Sequence, residues 1–240
     1  MANVIQYTIG MSNGFFILDH GIVAVDCGSE LGVELFLTAC QEHGIDPKQI
    51  RLLIVTHGHV DHFINMGAMR AVTGAPVLCH RNAAKSMRLA LYPEVHPRSR
   101  LGRKIIDEME PSAEPCPYLP PVEPDLIFEG EFDLSPYGIE GTIIETPGHS
   151  NSCTSVVLSD GQAIVGDLLV DDFTGKAALA YFCYATDPKQ ANPVLFKSCA
   201  SLLAQADYFY SGHGGPFTKD EFLRALEEAK TEAMQENPDE

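Results

Sequence analysis

Apolar residues near the start of the chain fall into short blocks separated by glycine and polar residues. Two of these blocks, NGFFILDHG at 13–21 and GIVAVDCG at 21–28, meet at the turn DHG. Short apolar runs bounded by turn residues predict adjacent strands. A β-branched run, QIRLLIVTH at 49–57, predicts a buried strand that ends at His57.

Segments with helical spacing of apolar residues separate these strands. Residues 29–44 predict a helix with Ser29 as N-cap and Gly44 as its stop. Residues 65–74 predict a second helix, and 75–80 (APVLCH) predict the strand after it. This alternation of strand and helix indicates α/β layering.

The regular spacing fades from about residue 81 to 125. The stretch EPSAEPCPYLPPVEPD at 110–125 is rich in proline and acidic residues, which argues against regular structure there. A long irregular segment inside a compact domain is usually functional or mobile. We therefore expect one domain over residues 1–240 that carries a lid-like insert at about 81–125.

The pattern of strands and helices resumes after the insert. A good hairpin turn, SDGQ at 159–162, joins two of the strands, and a Gly-rich loop ends another. The predicted strands are 126–134, 139–149, 152–160, 162–170 and 207–215, and the predicted helices are 188–206 and 218–236.

Composition narrows the class of protein. The 240 residues include 33 acidic and 16 basic side chains, a formal charge of -17, which disfavours a nucleic acid or an anionic membrane as partner. The first residues do not resemble a signal peptide, and the seven cysteines contain no C-x-x-C pair. We expect a cytoplasmic protein with reduced, mostly buried thiols, which acts on a small molecule and could form a homodimer.

The segment THGHVDH at 56–62 carries the strongest chemical signal. It places His57, His59 and His62 around Asp61 within six residues. Imidazole and carboxylate suit Zn, Fe or Mn, and four such groups can begin two metal sites without completing both. An extended backbone would point His57 and His59 to one face, with Asp61 and His62 turned to the other side.

The missing ligands are expected in other loops at strand ends. Three polar residues stand beside small residues in or just after apolar runs: His149 in ETPGHS, Asp167 in IVGDLLV and His213 in YSGHGG. Each alone is an ordinary loop or cap residue. Together with the H-x-H-x-D-H segment, they indicate a metal centre.

These motifs resemble those of the metallo-β-lactamase-fold superfamily. The matches are THGHVDH, TPGHS, the GD at 166–167, the GHG at 212–214 and VDCG at 25–28, in family order along nearly the whole chain. The resemblance implies an α/β fold, a four-layer αββα sandwich. One departure is GHSNSC, where the family usually has GHTxGS.

The resemblance also implies roles for individual residues. His57, His59 and His149 would hold one divalent ion, and Asp61, His62 and His213 a second, with Asp167 bridging. Asp26 would orient ligands from outside the coordination sphere. The expected cofactor is two divalent ions, zinc foremost, with iron or manganese as alternatives.

Details of the motifs separate branches of the family. Cys-containing class B β-lactamases have Cys where this chain has Asp167, which argues against antibiotic hydrolysis. Flavo-diiron reductases have Glu in place of His59 and usually carry a flavodoxin domain. Persulfide dioxygenases keep similar ligands around one iron. Glyoxalase II enzymes use a C-terminal helical region and nuclease branches an inserted domain, and we expect neither in this chain.

The resemblance implies a dinuclear metal-dependent hydrolase. Two ions roughly 3.5–4 Å apart would share a bridging hydroxide that attacks an ester-like bond, which could be a thioester, a lactone or a phosphodiester. Asp61 is the candidate catalytic residue that orients the nucleophile or moves its proton. The alternatives are a di-iron redox enzyme of the oxygen or nitric oxide reductase kind, and a non-catalytic regulatory protein.

Candidates for substrate contact lie near the insert. Residues 81–104 hold seven of the 16 basic residues, which form a lid for an anionic substrate, a subunit contact or a solvated face. Within this segment we single out His96 and Arg98. After Asp167, Tyr181 and Tyr184 are either pocket walls or core.

Overall fold

The computed structural model describes residues 1–91, 95–100, 102–104, 119–184 and 188–236. The side chains of residues 95, 184, 188–190 and 236 lie outside this description.

The first sheet has six strands, mostly from the N-terminal half of the chain. In spatial order the strands are β1 (Asn3–Ile9), β2 (Ser12–Leu18), β3 (Ile22–Val25), β4 (Ile50–Val55), β5 (Val77–His80) and β7 (Leu126–Phe128). Strands β1 to β3 are antiparallel to their neighbours, and β3, β4, β5 and β7 run parallel to one another.

The second sheet also has six strands. In spatial order the strands are β16 (Phe217–Thr218), β15 (Tyr208–Tyr210), β11 (Gln162–Ile164), β10 (Thr154–Leu158), β9 (Gly141–Glu145) and β8 (Phe132–Asp133). Adjacent strands are antiparallel except for β11 and β15, which are parallel. Two small antiparallel pairs complete the described strands: β12 (Leu169–Asp171) with β13 (Ala177–Leu179), and β6 (Val95–Pro97) with β14 (Phe182–Tyr184).

Helices cover the outer face of each sheet, so the molecule has four layers. The described α-helices are α1 (Val33–Glu42), α2 (Val60–Phe63), α3 (Met66–Thr73), α4 (Ala84–Leu89), α5 (Pro188–Gln205) and α6 (Lys219–Glu236). One apolar cluster packs α1 and α3 on the first sheet, a second packs α5 and α6 on the second sheet, and a third lies between the sheets. Three cores between four layers confirm the predicted αββα sandwich.

Strand β4 shows how the sequence specifies this layering. Leu52 and Ile54 point into the core between the sheets, whereas Leu53 and Val55 pack under the helices. A strand covered on both faces must be apolar at nearly every position, which is why its sequence is a continuous run rather than an alternation.

Several predictions of local structure are wrong. The predicted strand 126–134 is two strands, β7 in the first sheet and β8 in the second. Helix α1 begins at Val33 with Gly32 as N-cap, and Ser29 instead accepts a hydrogen bond from the Met11 backbone N–H at 2.7 Å. The predicted strand 162–170 is broken: β11 ends at Ile164, a short helical turn spans Gly166–Leu168, and β12 follows. Gly166 has φ +53°, a left-handed conformation that turns the backbone out of the strand at Asp167.

The insert is only partly within the described residues. Helix α4 and strand β6 give regular structure to its first part, and residues 105–118 lie outside the description. The lid therefore stays a prediction. Within the part of the chain that the structure describes, every helix is too short or too polar to span a bilayer.

The buried thiols agree with the sequence. Cys27, Cys40, Cys79, Cys153 and Cys199 are all buried, and no described residue forms a disulfide with them. Burial raises the pKa of the Cys79 thiol to about 12, so it stays protonated near neutral pH.

Candidate metal centre

The seven predicted ligands meet where strands of both sheets end. His57 to His62 follow β4 of the first sheet, whereas His149, Asp167 and His213 follow β9, β11 and β15 of the second. Because these three strands run in the same direction, their carboxyl ends lie along one edge. Thr154 ties the two edges together, since its backbone N–H and its hydroxyl each donate to the Thr56 carbonyl oxygen at 2.9 Å.

The His57–His62 segment has a different local form from the one expected. Strand β4 ends at Val55, so His57 and His59 lie in a bend, and His59 is the residue before the short helix α2. The expectation that both histidines project from one face of an extended strand is therefore wrong. The bend still brings them together, with His57 Nε2 at 2.8 Å from His59 Nδ1.

The first candidate group consists of His57, His59, His149 and Asp167, all of them buried. His149 Nε2 lies 3.0 Å from His59 Nδ1. The Oδ2 atom of Asp167 lies 3.6 Å from both His57 Nε2 and His149 Nε2. Four ligand atoms thus surround one small volume.

The second candidate group consists of Asp61, His62, His213 and again Asp167. His213 Nε2 lies 3.1 Å from Asp61 Oδ2 and 3.3 Å from Asp167 Oδ2. His62 Nε2 lies 3.5 Å from Asp61 Oδ2 and 3.2 Å from Asp167 Oδ1. Asp167 is therefore shared between the two groups.

These spacings and the state of the ligand atoms fit metal ions. Four ligands at roughly 2.0–2.2 Å around a tetrahedral ion stand about 3.3–3.6 Å apart, close to most of the distances above. Among the described groups, buried His62 Nε2 and Asp167 Oδ1 find no partner in hydrogen-bond geometry. Buried polar atoms without partners are costly, and a shared cation would satisfy both.

In three of the histidines Nε2 faces the ligand groups, and a hydrogen bond from Nδ1 orients the ring. His62 Nδ1 lies 2.8 Å from Asp26 Oδ2, His213 Nδ1 lies 2.8 Å from the Met11 carbonyl oxygen, and His149 Nδ1 lies 3.1 Å from the Phe182 carbonyl oxygen. A carboxylate or a carbonyl oxygen can only accept, so each Nδ1 donates. In the neutral ring, this leaves the Nε2 lone pair for a cation.

His57 is oriented through one more residue. Thr56 donates its hydroxyl hydrogen to Asp26 Oδ2 at 2.7 Å and so can only accept from His57 Nδ1 at 3.0 Å. Asp26 also accepts the Thr56 backbone N–H at 2.8 Å. Buried Asp26 thus contacts His62 directly and His57 through Thr56.

Charge is distributed unequally between the two groups. Burial and the rings of His57 and His149 hold the pKa of His59 well below its usual value, and burial lowers that of His149 to about 3. Burial opposes protonation of His213 too, but Asp167 and Asp61 raise its pKa to about 10. The same two carboxylates and Asp26 raise the pKa of His62 against burial.

The pKa values of the two carboxylates in the second group are lowered rather than raised. Burial favours the neutral form of Asp61 and Asp167, but the neighbouring imidazoles, His62 foremost, hold both pKa values well below the usual range. The exposed side of the centre is the second group, where the side chains of Asp61 and His213 are 30% and 31% exposed. Asp167, at 8%, lies beneath them.

Comparison with known proteins identifies the family of this chain. The model of the metallo-beta-lactamase superfamily matches residues 7–213. The chain belongs to the metallo-beta-lactamase superfamily. The resemblance drawn from its motifs is therefore confirmed.

Individual superfamily members resemble the chain over most of its length. It is 26% identical over 247 residues to the probable metallo-hydrolase YflN of Bacillus subtilis (strain 168), across 92% of this chain and 87% of that protein. The metallo-beta-lactamase family protein TTHA1429 from Thermus thermophilus matches with a TM-score of 0.67 and 19% identity, across 98% of this chain and 79% of that one. TTHA1623, solved in a di-iron-bound form, matches with a TM-score of 0.62 and 23% identity, across 92% of this chain and 98% of that one. These likenesses agree with the four-layer fold.

The loop in which this superfamily member departs from the usual motif joins the two sheets. Ser152 Oγ accepts the Gly58 backbone N–H at 3.1 Å and lies 2.8 Å from Ser150 Oγ. Gly58 lies between His57 and His59, and Ser150 directly follows His149. The serines therefore fix the His149 loop against the His57–His59 bend, and the departure leaves His149 in the first group.

The four candidates for substrate contact are placed differently from one another. The Arg98 guanidinium is buried and donates to the carbonyl oxygens of Ala180 and Leu179. This placement favours a role in holding the chain together over contact with substrate. Half-buried His96 lies in β6, paired with Cys183. Tyr181 is half-buried and donates to the Asp171 carbonyl oxygen at 3.4 Å, while the Tyr184 side chain lies outside the described residues.

Apart from Asp26, the residues that hold the ligands carry no clear signal in the sequence. Thr56 lies inside the THGHVDH motif without being a candidate ligand. Ser12 and Asn13 precede the apolar run GFFIL, a position typical of ordinary turn residues. Gly212 is part of the GHG motif, and a Cβ there would collide with Asp167 Oδ1 and with the His62 ring. The small residue in this motif is the structural reason that the His213 loop can lie against the second group.

Proposed function

We propose that this protein is a dinuclear metal-dependent hydrolase that cleaves a small ester-like bond with water. The observation that carries the proposal is the shared carboxylate of Asp167, which belongs to both ligand groups. The imidazoles around it present nitrogen atoms toward it, oriented by the hydrogen bonds described above. The ligands proposed are His57, His59 and His149 for one ion and Asp61, His62 and His213 for the other.

Divalent ions in these groups would polarise a substrate oxygen and provide a nucleophile derived from water near neutral pH. Asp61 is the residue best placed to handle its proton. Its side chain belongs to the second group and is partly exposed, and it is ionised near neutral pH, so an oxygen of the carboxylate can accept a hydrogen bond or a proton from that nucleophile. It can then pass that proton to the leaving group.

The pairing of three basic side chains in residues 81–104 favours attack on a carbonyl carbon over attack on phosphorus. Arg88 forms a bidentate pair with Glu123, at 2.7 and 2.9 Å, and Arg81 lies 2.9 Å from Glu129. Arg98 is held by backbone carbonyl oxygens. These three cations are engaged and so are poor candidates for a phosphate clamp, and on that ground we propose a lactone or thioester before a phosphodiester.

The decisive experiment is hydrolysis of a matched panel: an acyl lactone, an acyl thioester and an aryl phosphodiester. Each is tested with metal-loaded protein and with chelator-stripped protein. Chelator-sensitive turnover of the lactone or thioester is expected. Turnover confined to the phosphodiester would contradict the choice of bond, and no turnover of any member would contradict the hydrolase proposal.

The metal is proposed as zinc, with iron as the main competitor. The histidine and carboxylate ligands accept either. The relative TTHA1623 was solved with two irons, which makes a di-iron redox enzyme the second candidate. Two results together would favour that candidate. The visible absorption of iron-loaded protein would change on exposure to oxygen or nitric oxide, and the protein would hydrolyse no member of the panel.

A further inference from the structure

The turn between β1 and β2 lies directly against the second ligand group. We define this turn as Met11, its last residue, together with Ser12 and Asn13, which begin β2; each of the three contacts a ligand of that group or the loop that carries one. The first contact is the Met11 carbonyl oxygen, which accepts from His213 Nδ1 at 2.8 Å. A main-chain atom of the turn thus fixes which His213 nitrogen is presented to a metal.

Ser12 makes the second contact. Its hydroxyl donates to the Asp61 carbonyl oxygen at 2.9 Å, and the residue is fully buried. Asp61 lies in the first turn of the short helix α2, where the position of the backbone determines where its carboxylate points. Ser12 therefore connects the turn to the second ligand of this group.

Asn13 makes the most extensive contact, with the loop that carries His213. Its backbone N–H donates to the Gly212 carbonyl oxygen at 2.8 Å. Its side-chain Nδ2 donates to the carbonyl oxygens of Ser211 and Gly214, each at 2.9 Å. Three hydrogen bonds from one buried residue enclose His213 on both sides along the chain.

The orientation of the Asn13 amide is itself fixed. The Thr8 hydroxyl donates to Asn13 Oδ1 at 2.7 Å, which leaves Nδ2 to face the loop. The loop needs such support because it is rich in glycine, with Gly214 and Gly215 both at positive φ. Glycine gains the most conformational freedom when it is released, so an unsupported loop would not hold His213 in place.

We propose that the Met11–Asn13 turn positions the second metal site, and that Asn13 is the positioning residue on which the site depends. The inference rests on the proposed dinuclear centre. Among the described residues, the contacts of the turn with the site fall on Asp61, His213 and the loop 211–214. Loss of the turn contacts should therefore weaken one metal site and spare the other.

The test is metal binding by Asn13→Asp. This variant keeps the size of the side chain and an oxygen for Thr8, but it removes both Nδ2 donors. Zinc affinity is measured by competition with chelators of graded strength. We expect one ion bound as in the wild type and the second bound about 10- to 100-fold more weakly, the usual effect of losing a residue that supports a ligand. Equal weakening of both ions, or of neither, would overturn the proposal.

Two further variants separate positioning from general stability. Thr8→Val removes the hydrogen bond that orients the Asn13 amide but keeps both Nδ2 donors, so it should weaken the second ion less than Asn13→Asp does and leave the first ion unchanged. Ser12→Ala should weaken only the second ion, and it serves as the test if Asn13→Asp does not fold. A melting curve measured without metal checks the fold of each variant.

A readout without metal keeps this inference distinct from the proposed function. In metal-free protein, hydrogen exchange of amides in 211–215 should rise in Asn13→Asp, while exchange in 149–153 should not. Wild-type protein that binds fewer than two ions would contradict the dinuclear proposal alone. Unchanged exchange in 211–215 would contradict the role of Asn13, whatever the metal content.

Discussion

The histidines of this site differ in what they contribute, and His59 provides the sharpest single test. His59 Nδ1 lies within 3.0 Å of the ligand nitrogens of both His57 and His149. We expect His59→Ala to abolish chelator-sensitive turnover and to lower bound zinc from two ions to one, with the circular dichroism spectrum unchanged. The matched control is His43→Ala, an exposed histidine after helix α1, which should behave as the wild type. Full turnover by His59→Ala would contradict the ligand assignment.

Protons should compete with metal at one group and not at the other. Metal binding requires unprotonated nitrogen. The pKa of His213 is raised to about 10, and that of His62 is also raised, so both rings carry protons in metal-free protein near neutral pH. The lowered pKa values of His59 and His149 mean that these rings are already neutral. Affinity at the second group should thus rise with pH toward about 10, while affinity at the first should change little.

This difference can be measured on variants that isolate each group. His213→Ala leaves the first group, and His59→Ala leaves the second. Zinc titration calorimetry in buffers of different ionisation enthalpy gives the number of protons released at each. Equal proton release from the two variants would show that the charge of the two groups is not divided in this way.

The ligands could be found from the sequence because each is a distinctive residue type in a distinctive pattern. The supporting residues could not, because their roles depend on contacts distant in sequence. Asn13 meets Ser211 and Gly214, and Ser12 meets Asp61. A Ser-Asn pair before an apolar run gives no indication of contacts with residues so far along the chain. Asp26 was reached only through its place in the family motif.

At the scale of the element, the loop 149–153 shows how one connection can hold ligands from two sheets. Ser152→Ala removes the acceptor for the Gly58 N–H and should weaken the first ion, by roughly 10-fold, without affecting the second. Ser159→Ala is the matched control, an exposed serine at the far end of β10. Chelator competition measures both. A uniform loss at both sites would instead indicate that the serine supports the edge of the sandwich as a whole.

The elements themselves were largely predictable, and the errors have local causes. Apolar runs such as 50–55 and helical spacing such as 66–73 reflect burial against a core, which the pattern records directly. The break at Gly166 interrupts a run that stays apolar, QAIVGDLLV, so hydropathy alone reads it as one strand. The start of α1 was misplaced because Ser29 bonds to the β1–β2 turn rather than to the helix.

At the scale of the molecule, the metal centre connects the two sheets. The ligands from His57 to His62 belong to the first sheet, whereas His149, Asp167 and His213 belong to the second. The core between the sheets is extensive, with Phe15, Ile17, Leu52 and Ile54 fully or almost fully buried. We therefore expect metal-free protein to keep its fold and to lose stability rather than to unfold.

The size of that loss follows from linkage. An ion at about 100 times its Kd stabilises the folded state by about 2.7 kcal/mol, if it does not bind the unfolded chain. For a chain of this size, about 1 kcal/mol corresponds to roughly 2–4 °C, so each ion should raise Tm by roughly 5–10 °C. Scanning calorimetry with and without chelator measures the total, and His59→Ala should retain about half of it. Ions that are bound by ligands from both sheets must be released when the sheets separate on unfolding. If removal of metal from metal-containing wild-type protein left Tm unchanged, the ions would not stabilise the contact between the sheets.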